Sequence, residues 1–143
     1  MTDRNVVVSK LAELADRIDR TRAHCPPSAA DFARNRDACD LVAFNVMLAV
    51  QTCLDLASHV IADEGWPPPT TLADAFLRLA EHGVIARETG EALGRAAAFR
   101  NVVAHGYGRI LIDLLHAAAT TGLADLEQFA HEVAAWVGEP AGH

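Results

Sequence analysis

Between residues 100 and 107 the chain reads Arg100-Asn101-Val102-Val103-Ala104-His105-Gly106-Tyr107, collecting a guanidinium, an imidazole, a glycine and the chain's single tyrosine. A histidine titrates near neutral pH and can give or take a proton, whereas an arginine keeps its charge and forks onto phosphate oxygens. Together they suit phosphodiester cleavage. The imidazole would handle the proton of a ribose hydroxyl or of the leaving group, and the guanidinium would stabilise charge growing on the phosphoryl oxygens. That chemistry needs neither metal nor cofactor. The same spacing also fits a structural role, with His105 capping a helix C-terminus and Arg100 paired to an acid elsewhere.

The elements around the octapeptide decide whether the two side chains can meet. On an uninterrupted helix, residues 100 and 105 stand roughly 140° apart about the axis, so they share a pocket only where the helix ends near His105. Gly106 predicts that ending, because glycine accepts the left-handed turn that terminates helices. Such a turn would swing His105 off the helical grid and carry Tyr107 back beside Arg100.

The preceding chain reads as scaffold. Val7, Leu11, Leu14 and Ile18 form the seam of an amphipathic helix over about residues 4–24, stopped by Cys25-Pro26-Pro27. Ser28 and Asp31 resemble a capping box opening a second helix that runs to about residue 63, close to 50 Å at roughly 1.5 Å per residue. Leu41, Val42, Phe44, Met47, Leu48, Val50, Leu54, Leu56, Val60 and Ile61 cover most of its circumference. A helix so covered is buried on two sides, either in a homodimer or at the centre of a monomeric bundle. Gln51, Asp55 and His59 form a polar row at helical spacing, which fits a hydrogen-bonded stripe better than a metal site.

Gly65-Trp66-Pro67-Pro68-Pro69 predicts a rigid loop, and Thr71 with Asp74 a cap for a short helix ending at Gly83. The next helix leads from about Ile85 to the octapeptide, and Ala92, Gly94, Ala96, Ala97 and Ala98 let a neighbour approach closely and hold Arg100. After Gly108, Ile110, Leu111, Leu114 and Leu115 resume a helix that Thr120-Thr121-Gly122 breaks. Leu123, Leu126, Ala130, Val133 and Val137 form the last seam. No alternating strand pattern competes, so the expected fold is all-α, a four- to five-helix up-and-down bundle. One domain spans residues 1–143, with 1–3 and 138–143 expected to be flexible.

Composition narrows the function. Of 143 residues, 51% are apolar, enough for one substantial core, and the formal net charge is −7. An acidic chain does not hold nucleic acid by bulk field, so action on RNA would rest on local arginines: Arg95, Arg100 and Arg109 near the octapeptide, and Arg34 and Arg36 on the second helix. Three cysteines, Cys25, Cys39 and Cys53, lack metal-type spacing and suit a reducing compartment; Cys39 and Cys53 read as core. No signal-peptide pattern opens the chain and no apolar run approaches the roughly 20 residues of a membrane span, which points to a cytoplasmic protein. A Gly-rich phosphate loop, a nucleophile elbow, a zinc-spaced cysteine pair and an HExxH box are all missing.

Arg100, four residues, His105, one residue, Tyr107 resembles the RX4HXY motif of the HepT-like family, ribonuclease toxins of the HEPN superfamily. The similarity extends over roughly residues 36–137, through Asp55-Leu56-Ala57-Ser58-His59-Val60-Ile61, the proline loop, Phe76-Leu77-Arg78-Leu79-Ala80 and Phe99-Arg100-Asn101. The resemblance implies a HEPN-type bundle and a homodimeric, metal-independent RNase of a type VII toxin–antitoxin pair, acting on RNA rather than DNA, with both motifs facing a cleft between subunits. It assigns catalysis to Arg100 and His105, matches Asn101 to a supporting polar residue, and matches Tyr107 to the tyrosine that a cognate MntA-like nucleotidyltransferase antitoxin modifies with AMP. Arg109 departs from the acidic or polar residue the family carries there. A second function class stays open: a noncatalytic nucleotide- or partner-binding subunit of a nucleotidyltransferase complex.

Overall fold

The computed structural model describes residues 2–104 and 109–138. The described chain contains seven helices and no strand: α1 (Arg4–His24), α2 (Ala29–Arg34), α3 (Arg36–Glu64), α4 (Leu72–Glu81), α5 (Arg87–Ala104), α6 (Arg109–Thr120) and α7 (Leu123–Gly138). The all-α bundle is as expected. The second helix differs, because Asn35 adopts extended backbone (φ −108°, ψ 92°) and accepts the Ala38 N–H on its side chain at 3.0 Å. That cap starts α3 afresh and leaves α2 as a separate six-residue turn behind Ser28, whose hydroxyl accepts the Asp31 N–H.

α3 is the axis of the bundle, roughly 43 Å long, with α1, α2, α4, α5, α6 and α7 all packed on it. Val42, Val50, Leu54, Leu56, Val60 and Ile61 are buried within this one chain, whereas Leu41 and Phe44 remain 40% and 56% exposed. By length and apolarity α3 does match a membrane span, contrary to the sequence expectation; most of its apolar stretch is buried among the other helices, the setting of a core helix. Cys39 and Cys53 are core residues as expected, and burial pushes both thiols up, as it does that of half-buried Cys25. Thiolate chemistry is thereby disfavoured at all three.

The ends of the elements are fixed by caps. Gly65 (φ 72°) and Gly83 (φ 77°) take the left-handed turns that close α3 and α4, and Thr71 caps α4 through the Asp74 N–H at 3.1 Å. Trp66, in the proline loop, stacks on His82 with ring centroids 3.8 Å apart. Near the N-terminus the Thr2 hydroxyl donates to Glu64 and the Asp3 N–H to Asp63, both at 2.9 Å, linking the start of α1 to the end of α3. Gly122 separates α6 from α7 for a steric reason. A Cβ there would sit 2.7 Å from the Ala118 carbonyl oxygen.

Candidate active site at the end of α5

α5 carries Arg100, and its position is set from both flanks. Toward α4 it presents Gly90 and Gly94; a Cβ on Gly90 would lie 3.2 Å from the Phe76 carbonyl oxygen, and one on Gly94 would touch Ala73. Of the small residues expected to admit a neighbour, Gly94 meets α4 and Ala92 and Ala97 are buried, whereas Ala98 is exposed; Gly90 makes the tighter contact. Toward α7 the anchor is polar. Glu132 accepts the Thr89 hydroxyl at 2.6 Å and the Ala86 N–H, a cap supplied to the start of α5 from another helix because Ala86 has no side-chain acceptor. Leu93, Ala97 and Val103 face the core and fix the rotation of the helix.

With that face inward, Arg100 emerges half-buried near the C-terminal end of α5. Its Nη1 donates to Asn101 Oδ1 at 3.2 Å, while its Nε is buried with no hydrogen-bond partner among the described residues. Four other arginines are neutralised, Arg22 by Glu127, Arg34 by Asp31, Arg78 by Asp74 and Glu81, and Arg87 by Glu91, whereas half-buried Arg17 bonds only the Asn45 amide. Arg100 meets only a neutral amide. The alternative in which it pairs with an acid elsewhere finds no such acid among the described residues, so its charge and a forked donor set are available to an anion.

α5 spans Arg87–Ala104 and α6 spans Arg109–Thr120. His105, Gly106 and Tyr107 themselves lie outside the described residues. The far side of that segment is anchored too: His116 of α6 places Nε2 2.9 Å from the Pro26 carbonyl oxygen and packs its ring against Phe32. Nothing in the sequence periodicity singled out this histidine.

A groove of about 370 Å³ runs beside Arg100 between α5, α6 and α7, with Arg95 and Phe99 on its α5 wall. Arg95 is exposed there, whereas Arg34, also proposed for RNA contact, is held by Asp31. Of the polar row on α3, Gln51 donates to Asp55 at 2.9 Å, whereas His59 Nε2 lies 3.0 Å from Asp63 and makes no hydrogen bond among the described residues. A larger cavity, about 550 Å³ beside Glu132 and Trp136, sits at the opposite end of α5, away from Arg100.

This arrangement has close structural counterparts. The mRNA nuclease HepT of Shewanella oneidensis is 23% identical over 125 residues, 87% of this chain and 93% of that protein. The fold is shared with the tri-AMPylated Shewanella oneidensis HEPN toxin in complex with MNT antitoxin, at a TM-score of 0.83 and 24% identity over 94% of this chain and 99% of that one. It is shared equally with a toxin–antitoxin structure bearing AMP-PNP, at 0.81 and 22% over 93% and 99%. The family model described as ribonuclease HepT-like matches residues 14–133, well over half of the sequence. This chain belongs to the ribonuclease HepT-like family.

Proposed function

We propose that this chain is the toxin of a type VII toxin–antitoxin pair, a metal-independent endoribonuclease of the cytoplasm. Arg100 and His105 act on the RNA phosphodiester, Asn101 supports Arg100, and Tyr107 receives AMP from a cognate MntA-like nucleotidyltransferase that silences the enzyme. The observation that carries the reading is the state of Arg100: a half-buried guanidinium with no carboxylate partner among the described residues, held by one amide at the end of a rigidly packed helix. An arginine so placed is prepared for phosphate rather than for an internal salt bridge. His105, five residues further along the chain, supplies the group that moves protons.

The active form in this reading is a homodimer. Leu41 and Phe44, exposed on α3, and Val102, 46% exposed two residues beyond Arg100, leave apolar surface for a second copy. The net charge of −7 favours the second reading, a noncatalytic partner-binding subunit. Purified protein incubated with cellular RNA in excess EDTA separates the two. Cleavage lost in both Arg100→Ala and His105→Ala supports the enzyme; intact RNA with folded wild-type protein supports the binding subunit. Light scattering should give about twice the 15.3 kDa chain mass.

A further inference from the structure

The groove beside Arg100 has a built chemical character. Its floor is apolar, made by Val46 and Val50 of α3, both buried, and its sides include Phe99 and the half-exposed Leu114. Two exposed charges of opposite sign stand on different walls, Arg95 on α5 and Asp125 on α7. They form no ion pair with each other and have no side-chain hydrogen bond or salt bridge among the described residues, so each keeps its capacity for a ligand. On α5, Ala96, which lines the groove, and Arg100 are one turn apart on the same side of the helix.

We propose that this groove is the subsite for an unpaired guanine next to the scissile phosphate, a reading that rests on the ribonuclease function above. A flat base matches an apolar slot walled by an aromatic ring, and splayed single-stranded bases are recognised in this way. Guanine alone among the RNA bases combines two acceptors, O6 and N7, suited to a guanidinium fork, with adjacent N1–H and N2 amino donors suited to one carboxylate. Arg95 takes the acceptor edge and Asp125 the donor edge. A volume of about 370 Å³ lies at the small end of small-ligand sites, which run roughly 300–1,000 Å³. The pocket thus gives an acidic protein a means of choosing RNA by base rather than by bulk charge.

The test uses the full-length protein and synthetic single-stranded RNA 12-mers containing one guanosine, with adenosine or inosine in its place as controls. Wild type should cut the guanosine RNA with kcat/KM at least about fivefold above the adenosine and inosine RNAs, the lower end of what one good base contact discriminates. Asp125→Asn and Arg95→Gln, both at exposed positions, should reduce that guanosine-over-adenosine preference at least threefold. Wild type that cuts all three RNAs equally, or variants that keep the guanosine preference, would overturn the subsite and leave the ribonuclease standing. Folded wild type that cuts none of them would overturn both. If Leu114→Glu halves the mass seen by light scattering, the groove is covered by a second copy and the guanine assignment is wrong.

Discussion

Glu132 of α7 and Thr89 of α5 are joined by a 2.6 Å hydrogen bond that ties the first turn of the Arg100 helix to the last helix of the chain. Burial opposes the charge on Glu132, but the bonds from Thr89, Ala86 and Gln128, with His131 nearby, outweigh it and hold the carboxyl below its ordinary 4.5. A carboxyl lowered on folding stabilises the native state in full above its unfolded value and loses that contribution as pH falls through the folded one. Glu132→Ala should therefore cost roughly 1–2 kcal/mol at pH 7, and the penalty should shrink below about pH 4. Urea melts at pH 7 and pH 3 check this; an equal penalty at both values contradicts it.

The α6–α7 junction supplies a second expectation. At Gly122 an added Cβ would press on the backbone of Ala118, at 2.7 Å from its carbonyl oxygen and 2.8 Å from its Cα, and backbone cannot swing aside as a side chain can. Gly122→Ala should destabilise by roughly 1–3 kcal/mol. Gly138→Ala, where a Cβ meets nothing within 4 Å, should be close to neutral. Thermal melts of the two variants provide the comparison, and equal melting temperatures would refute the steric account.

Much of this architecture was legible beforehand because it depends on local signals. Val7, Leu14 and Ile18 are buried as their spacing demands, and Ser28 and Thr71 cap the helices that follow them. Apolar periodicity alone does not reveal the break at Asn35, where a side chain competes for a backbone N–H. In α6 the apolar residues alone did not give the buried face: Leu115 and Ala119 are buried while Leu114 is half-exposed, and His116 meets the Pro26 carbonyl from far along the chain. Within the site, that no carboxylate pairs with Arg100 among the described residues was not legible, because the partners of an arginine come from tertiary packing.

Arg100 itself gives a sharp separation of stability from activity. With a single neutral hydrogen bond and no ion pair among the described residues, it adds little to folding, so Arg100→Lys should change stability by less than about 0.5 kcal/mol. Lysine keeps the charge but loses the planar fork, and removing one well-aimed donor from a developing oxyanion costs roughly 10²–10³ in kcat. Single-turnover RNA cleavage in EDTA should show that loss with melting unchanged. A lysine variant as fast as wild type would remove the guanidinium from the mechanism.

Tyr107 carries the regulatory expectation. It stands two residues beyond His105 and is the chain's only tyrosine, so a modification there is unambiguous to map. Transfer of AMP from ATP to its hydroxyl, with release of pyrophosphate, would set a negative phosphate and a purine close to the unpaired Arg100 guanidinium. That phosphate would compete with RNA for the same charge, and its nucleoside would fill the approach to the pocket. RNA cleavage should fall at least about tenfold after incubation with the cognate nucleotidyltransferase and ATP, in proportion to the AMP found on the Tyr107 peptide by mass spectrometry. Tyr107→Phe should remain unmodified and stay active under the same treatment. Modification mapped to another residue, or full activity in the AMP-bearing protein, would show that control does not pass through this hydroxyl.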